Sequence, residues 1–356
     1  MTTTVFVDGR VFGLEARGGV SRVNYEWLKA LSGRIHFHLF HGFYQDMYDW
    51  SVIRLDRNDG VRRSSTIRGL GRLSLVMERP WMERCWRASH RAGCSIFHAT
   101  YYRIPRSLHE ARLLVCDYDC IHERYPDMFR DTKEVVKRKR HAFNHADTVI
   151  TISESSKQDL IEFYGLQEDK IRVAHLGVSS FFRLPEEKIE KGNPPYLLYV
   201  GSRATYKNFA IVERFFRETM TDMDLIVVGG PSLEECRWPG GGRRLWVRAD
   251  DERLRSLYWG ACALIYPSMY EGFGLPPLEA LACGCPVVAS DIPVLREVLG
   301  EHAEYFSCTD VDDLEAAVNR ALGWTEKRRL EGHNYAKTYT WERSASVLQD
   351  CYRQLS

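Results

Sequence analysis

Short apolar, β-branched runs alternate with longer amphipathic stretches from one end of the chain to the other. This alternation constrains the fold more than any other feature, because parallel strands need long crossovers and helices supply them. The fold class is α/β. At 356 residues and roughly 100 to 200 residues per domain, two domains are expected. The first half predicts strands at Thr4 to Val7, Ile35 to Phe40, Ser95 to His98, Arg112 to Cys116, Thr148 to Ile152 and Arg172 to Ala174. Helices are predicted between them, notably Val20 to Leu31, Thr132 to His145 and Ser155 to Phe163. A second strand-first series runs through YLLYV, DLIVVG, RLWV, CALIYP, PVVAS and AEYF, with helices at Asn208 to Thr219, Asp251 to Gly260, Pro277 to Cys283 and Val311 to Leu322.

Between the two series, FFRLPEEKIEKGNPP is charged and proline-bearing, and predicts a connection without a core of its own. The expected organisation is a first doubly wound domain over 1–180, a linker over 181–195, a second over 196–338 and a terminal helix over 339–356. On that helix Val347, Leu348, Cys351, Tyr352 and Leu355 share one face. It either packs back on the first domain or ends the chain as a plain helix. Two doubly wound halves facing one another would leave a cleft at the carboxyl ends of their strands, where the chemistry is expected.

Charge and cysteine usage exclude several function classes. Lys plus Arg total 49 against 48 Asp plus Glu, so nothing in the global field calls for a nucleic-acid partner. No apolar run approaches the roughly 18 residues of a membrane span, and MTTTVFVDGR lacks the layout of a secretory signal, so a cytoplasmic location is expected. The ten cysteines are diluted along the chain, several inside apolar strands, and read as reduced thiols. Neither Cys116 with Cys120 nor Cys283 with Cys285 has the paired spacing of structural zinc.

The most informative segment is PSMYEGFGLPPLEALACGCPVVAS, residues 267 to 290. A strand ends near Pro267, a turn with Gly272 and Gly274 follows, and a helix starts at Pro276 or Pro277, where proline is favoured. Such a start is expected to expose a row of backbone N–H groups to a phosphate or to sugar hydroxyls. Glu271 lies in the turn and Glu279 about one turn into the helix. A carboxylate accepts hydrogen bonds from paired hydroxyls, which suits a sugar ring; Glu279 alone would equally serve the helix dipole.

The block EGFGLPPLE, with ACGCPVVAS behind it, resembles the signature of glycosyltransferase family 4, retaining enzymes of the two-Rossmann GT-B fold. The resemblance implies that Glu271 sits at the donor sugar, that the amides of Gly272, Phe273, Gly274 and Leu275 hold sugar hydroxyls or phosphate, and that Glu279 binds the ribose. YVGSRATYKNF, residues 199 to 209, is similar to a second family segment, which makes Arg203 and Lys207 the cations on the donor diphosphate. Independently of the family, two fixed cations would stabilise the charge that develops on a departing diphosphate. ARGGVSRVNYEWL, from Ala16, resembles the family's first glycine-rich loop, placing Gly18 and Gly19 by the phosphates; an ordinary βα turn explains them as well. In LWVRADDERLRSLY, from Leu245, Arg248 and Ala249 would lie beside the base. ITISESSKQDL and VAHLGV mark the end of the first domain.

One departure stands out. Many members carry a His-Asp pair near the acceptor, whereas here VCDYDCIHERYP has Tyr118 before Asp119. Asp119 and His98 are taken as the acceptor-side groups, with a structural histidine as the alternative at His98. Asp117 to Asp119 spells D-x-D, as do two other places in the chain, and with Arg203 and Lys207 available no catalytic metal and no cofactor are expected. Residues 61–93 carry Arg62, Arg63, Arg68, Arg72, Arg79, Arg84, Arg87 and Arg91, with Trp81 and Trp86, and Leu70, Leu73, Val76 and Met77 between. A peripheral contact with an anionic membrane or a lipid-linked pyrophosphate is one reading, and a solvated helix packed on the sheet is the other.

The resemblance implies a retaining, metal-independent hexosyltransferase that moves a sugar, mannose first, from a nucleoside diphosphate to a cell-surface glycan or lipid-linked acceptor. Two alternatives stay open: a non-catalytic sugar-binding protein of the same fold, and a dinucleotide-dependent oxidoreductase, although no G-x-G-x-x-G follows a strand.

Overall fold

A computed structural model describes residues 3–14, 18–44, 47–62, 71–106, 108, 111–187, 192–219 and 221–356, the side chains of 71–76 excepted. The chain divides into two compact units, Met1–Gly177 with Trp341–Ser356, and Val178–Thr340.

The first unit carries strands β1 (Thr4–Asp8), β2 (His36–Tyr44), β3 (Leu55–Arg62), β4 (Ile96–Ala99), β5 (Arg112–Cys116), β6 (Thr148–Thr151) and β7 (Ile171–Val173). They form one parallel sheet in the order β3-β2-β1-β4-β5-β6-β7. Its helices are α1 (Val11–Leu14), α2 (Gly19–Ala30), α3 (Gly71–Arg91), α4 (Ile121–Arg124), α5 (Thr132–His145) and α6 (Glu154–Tyr164). Val5, Phe6 and Val7 of β1 are all fully buried, as expected of a strand covered on both faces. One face packs Phe6 and Phe97 against Trp86 of α3 and Phe143 of α5.

β3 was not anticipated. LDRNDGVR has almost no apolar residue to bury, and as an edge strand it pairs only with β2 while most of its side chains face solvent. The basic segment is also corrected in part. Arg79, Arg84, Arg87 and Arg91 are exposed, but Trp86 is buried against Phe6, and half-buried Trp81 packs on Phe40 and Phe43. The tryptophans therefore belong to the core, and the described side chains left at the surface of this helix include the four arginines and Met77. Arg63, Arg68 and Leu70 lie outside the described residues, as do the side chains of Arg72, Leu73 and Val76.

The second unit carries β8 (Tyr196–Val200), β9 (Asp224–Val228), β10 (Cys236–Arg237), β11 (Arg243–Val247), β12 (Ala263–Tyr266), β13 (Val287–Ser290) and β14 (Glu304–Phe306). The sheet order is β10-β11-β9-β8-β12-β13-β14, parallel except for the two-residue β10. Its helices are α7 (Phe209–Glu218), α8 (Asp251–Gly260), α9 (Leu275–Ala282), α10 (Pro293–Leu299), α11 (Val311–Leu322) and α12 (Glu326–Ala336). α10 and α12 are additions to the expected set. The start of the supposed linker is anchored here: Phe182 is buried edge-on to Tyr258, Arg255 stacks 4.0 Å from the Phe181 ring, and Trp259 donates to the Arg183 carbonyl at 2.7 Å. Residues 181–183 thus belong to the packing around α8, because two adjacent aromatics bury more apolar area than a solvated connection leaves covered.

The final helix, α13 (Trp341–Leu355), returns to the first unit. Leu348 and Tyr352 are fully buried, and Trp27 of α2 donates to Ser344 at 2.8 Å. Burial of a leucine such as Leu348 contributes roughly 1.5–3 kcal/mol. All ten cysteines are free thiols.

Candidate active site

In the second sheet the connections leave β8 and β12 in opposite directions, since β9 lies on one side of β8 and β12 on the other. Ligands of open α/β sheets lodge at such a switch point, outside the carboxyl ends of the strands. The loop after β8 bears Arg203 and Lys207, and the loop after β12 bears Glu271 just ahead of α9. Two bonds join these loops: Met269 N–H donates to the Tyr206 carbonyl at 2.8 Å, and Lys207 Nζ donates to Glu271 Oε1 at 2.6 Å.

The Lys207 and Glu271 side chains are only 16% and 10% exposed, so each charge depends on the other for compensation. Two tyrosine rings flank the ammonium, Tyr206 at 5.2 Å and Tyr266 at 5.8 Å. Burial, and then the negative charge of Glu271, push Tyr266 well above the usual phenol range, so its hydroxyl stays protonated beside the carboxylate.

Arg203 is held differently. Nη1 donates to the Gly229 carbonyl at 2.9 Å and Nη2 to that of Pro231, which clasps the loop after β9. That loop comes close because Gly229 sits at φ +95, where a Cβ would lie 2.8 Å from the Gly201 carbonyl oxygen. A guanidinium has five N–H donors, so two carbonyl bonds do not exhaust it.

α9 begins at Leu275 behind Gly274, whose φ is +106. A Cβ there would also meet Leu295 Cδ2 at 2.8 Å, so glycine is required on both counts. The expected row of amides is shorter than the sequence suggested. Of the four N–H groups that a helix start leaves over, those of Pro276 and Pro277 do not exist, and only Gly274 and Leu275 can donate. Phe273 is buried against Tyr339, with ring centroids 6.0 Å apart, so its neighbour Gly272 joins Glu271 to a fixed point. Glu279, on the fifth residue of α9, is 3% exposed and accepts from Tyr258 at 3.4 Å. Arg248 is exposed, one residue beyond β11.

The remaining predicted residues lie in the first unit. Gly18 caps α2, its N–H donating to Ser21 Oγ at 3.0 Å, and a Cβ on Gly19 would meet nothing within 4 Å. His98 is corrected from an acceptor-side group to a core residue. It is 2% exposed, with Nε2 at 3.1 Å from Cys116 Sγ and Nδ1 at 2.7 Å from the Tyr352 hydroxyl, so it fastens α13 to the sheet. Burial lowers its pKa to about 3, which keeps the ring neutral. Tyr118 is equally committed: its buried hydroxyl donates to the Thr100 carbonyl at 3.0 Å and accepts from Asn24 at 2.7 Å. Asp119 is half-buried and accepts from Ile121 N–H at 3.1 Å, at the start of α4.

Sequence reasoning missed Lys139. It is 1% exposed on α5, donates to the Asp119 carbonyl at 2.5 Å, and lies 3.0 Å from Asp117 and 3.3 Å from Glu123. Burial works against its charge, but Asp117 and the neighbouring acidic groups outweigh it and hold the ammonium well above its ordinary pKa. Its position in the run KRKR read as solvated charge, and only its spacing from Ala142 and Phe143 on one helix face could have singled it out. Asp117, the first residue of D-x-D, is fully buried against Lys139 and accepts from Tyr102 at 2.7 Å. Among the described residues no cluster of His, Cys, Asp and Glu has the arrangement of a metal site.

Two family profiles together cover most of the chain. The one described as Glycosyltransferase Family 4 matches residues 17–180, and the one described as Glycosyl transferases group 1 matches residues 181–337. The chain belongs to glycosyltransferase family 4. Its fold is GT-B, as in sucrose-phosphate synthase from Thermosynechococcus elongatus, which aligns with a TM-score of 0.76 at 19% identity over 100% of this chain and 99% of that one. Anabaena HepE in complex with UDP and glucose aligns with a TM-score of 0.67 at 15% identity, over 100% and 99%. Among sequence relatives, the O-antigen chain mannosyltransferase B of Escherichia coli is 29% identical over 291 residues, 73% of this chain and 74% of the relative. The O-antigen chain mannosyltransferase RfbU of Salmonella typhimurium is 31% identical over 209 residues, 54% and 56%. Family membership displaces the oxidoreductase reading, and this family 4 chain is a glycosyltransferase.

Proposed function

We propose that this glycosyltransferase moves mannose from GDP-mannose, with retention at the anomeric carbon and without a metal, to a glycan or lipid-linked glycan acceptor of a cell-surface polysaccharide. The carrying observation is the joining of Lys207 and Glu271 across the switch point of the second sheet. The mannosyltransferase relatives support the sugar and the polysaccharide; UDP bound to the neighbour HepE makes a UDP-sugar the second choice.

In this reading the diphosphate lies against Lys207 and Arg203, with the Gly274 and Leu275 amides beside it. The acceptor hydroxyl oxygen attacks the anomeric carbon from the face the phosphate leaves. The bond from that carbon to the phosphate oxygen breaks, and the same phosphate takes the acceptor proton. Glu271, held by Lys207, orients the sugar and stabilises positive charge as it builds at the anomeric carbon. The ribose rests on Glu279. Two fixed cations supply the charge stabilisation that a divalent metal provides elsewhere. Peripheral contact with an anionic membrane falls to the exposed arginines of α3, at the face where such a polysaccharide is assembled.

A thermal-shift panel of GDP- and UDP-sugars tests the donor, because a ligand at a hundred times its Kd stabilises by about 2.7 kcal/mol. GDP-mannose should give the largest shift, and NMR of the product should show the donor's anomeric configuration. No shift with any sugar nucleotide refutes the reading. Binding without transfer or hydrolysis favours the non-catalytic alternative, and loss of activity in EDTA refutes metal independence.

A further inference from the structure

Among the described residues Asn208 is the one non-glycine residue at positive φ, +54 with ψ +36. Few residues other than glycine adopt that left-handed conformation, and asparagine is prominent among them. It follows Lys207 directly. The chain leaves β8, makes a single 3-10 turn over Thr205–Lys207, and enters α7 at Phe209 with Asn208 as the one residue between. Asn208 serves both ends: its N–H donates to the Thr205 carbonyl at 3.0 Å, and its carbonyl accepts from Ile211 N–H at 3.2 Å. A left-handed residue ends a helical turn, so the φ of Asn208 fixes where this turn stops and where the Lys207 stem leaves the backbone.

An asparagine ahead of a helix ordinarily turns its side chain onto the first amides of that helix. Asn208 makes no such cap. Its Nδ2 instead donates at 2.7 Å to the carbonyl of Cys308, 100 residues away in the loop between β14 and α11. That loop is itself held, since Ser307 N–H donates to Asp313 at 2.7 Å and Asp310 N–H to the Ser307 carbonyl at 3.0 Å. The Lys207 turn is thereby gripped on two flanks, by Met269 and Glu271 from the loop after β12 and by Cys308 from the loop after β14.

A lysine is a point charge on a flexible four-carbon stem, so the place of its ammonium depends on how firmly its backbone is held. Misplacing such a group by about 1 Å can cost on the order of a hundredfold in rate. We infer that Asn208 is a positioning residue of the transfer reaction: its left-handed turn and its bond to the Cys308 carbonyl hold the Lys207 ammonium where the leaving diphosphate gains charge. That Lys207 meets the leaving group rests on the function proposed above; Asn208 acts through Lys207 and not on the substrate.

The test uses the full chain as Asn208→Gly, Asn208→Ala and Lys207→Ala, with both Asn208 variants also made in the Lys207→Ala background. Glycine accepts φ +54 but lacks the amide, so it removes the bond and keeps the turn, whereas alanine removes the bond and strains the turn as well. Turnover is read as release of nucleoside diphosphate, at saturating levels of the sugar nucleotide that shifts Tm most. Asn208→Gly should keep a Tm close to the parent's and lose about tenfold or more in kcat. Asn208→Ala should lose at least as much and also lower Tm. A purely structural residue would lower turnover whatever stands at 207. Acting through Lys207, either variant should instead cost less than about twofold in the Lys207→Ala background, because losses routed through one side chain do not add. The same fold-loss in both backgrounds overturns the positioning role, as does a parent-like kcat in Asn208→Gly. A parent-like kcat in Lys207→Ala is a different failure: it refutes the function proposed for Lys207, and the role of Asn208 with it.

Discussion

Lys207 and Glu271 stand 64 residues apart in sequence, yet Lys207 Nζ donates to Glu271 Oε1 at 2.6 Å, and both side chains are largely shielded from water. One residue belongs to the leaving-group side of the proposed chemistry and the other to the sugar side, so their pairing couples the two. Glu271→Gln keeps the size of the side chain and removes its charge. We expect turnover to fall on the order of a hundredfold or more while donor binding changes much less. A kcat within a few-fold of the parent's would remove Glu271 from the mechanism.

The cations predict a parallel loss. Arg203→Ala with Lys207→Ala should cost about a hundredfold or more in turnover, because two preorganised charges disappear from the leaving group. Near-normal transfer by the double variant would refute their role. Arg203 also clasps the Gly229–Pro231 loop, so its single variant should lower Tm as well.

Gly274→Ala tests the turn. At φ +106, with Leu295 Cδ2 2.8 Å from the new methyl group, the substitution should destabilise by about 1–3 kcal/mol. Urea denaturation measures it, and an unchanged midpoint would mean that the turn adapts.

Lys139→Met leaves the buried Asp117 and Glu123 without their cation. Breaking such a network costs about 3–5 kcal/mol, and the loop holding Asp119 loses the donor at its carbonyl. A stability close to the parent's, by denaturant titration, would show that the network is dispensable.

His98 predicts an acid limb. Burial holds its folded-state pKa at about 3, below the ordinary 6.5, so below pH 6.5 the unfolded chain takes up a proton that the folded chain refuses. Its contribution is fully present above pH 6.5 and declines as pH falls toward 3, by about 1.4 kcal/mol per unit. Stability at pH 5 should therefore lie about 2 kcal/mol below the neutral value from this group alone. His98→Leu should flatten that slope by one proton; an unchanged slope would refute the assignment.

The sequence carried much of the candidate site because its parts are local. Glycine, two prolines and a glutamate within nine residues specify a strand end, a left-handed turn and a helix start, and backbone sterics decide such features over a few residues. The α/β class, α13 and most strands were legible for the same reason: their apolar spacing records which face is covered. β3 escaped because an exposed edge strand writes no such record.

Tertiary structure alone decided the rest. Sequence placed Lys207 and Glu271 in one site but could not pair them, since the bond depends on the order β9-β8-β12. His98 ended a strand and read as either an acceptor-side or a structural histidine until α13, arriving from the far end of the chain, covered it. Lys139 stood in a basic run, where only its spacing from Ala142 and Phe143 set it apart from its solvated neighbours. Burial and charge pairing are sums over residues distant in sequence, whereas turns and periodicity are sums over neighbours, and that difference divides what the chain's order of residues determined from what only its folding could settle.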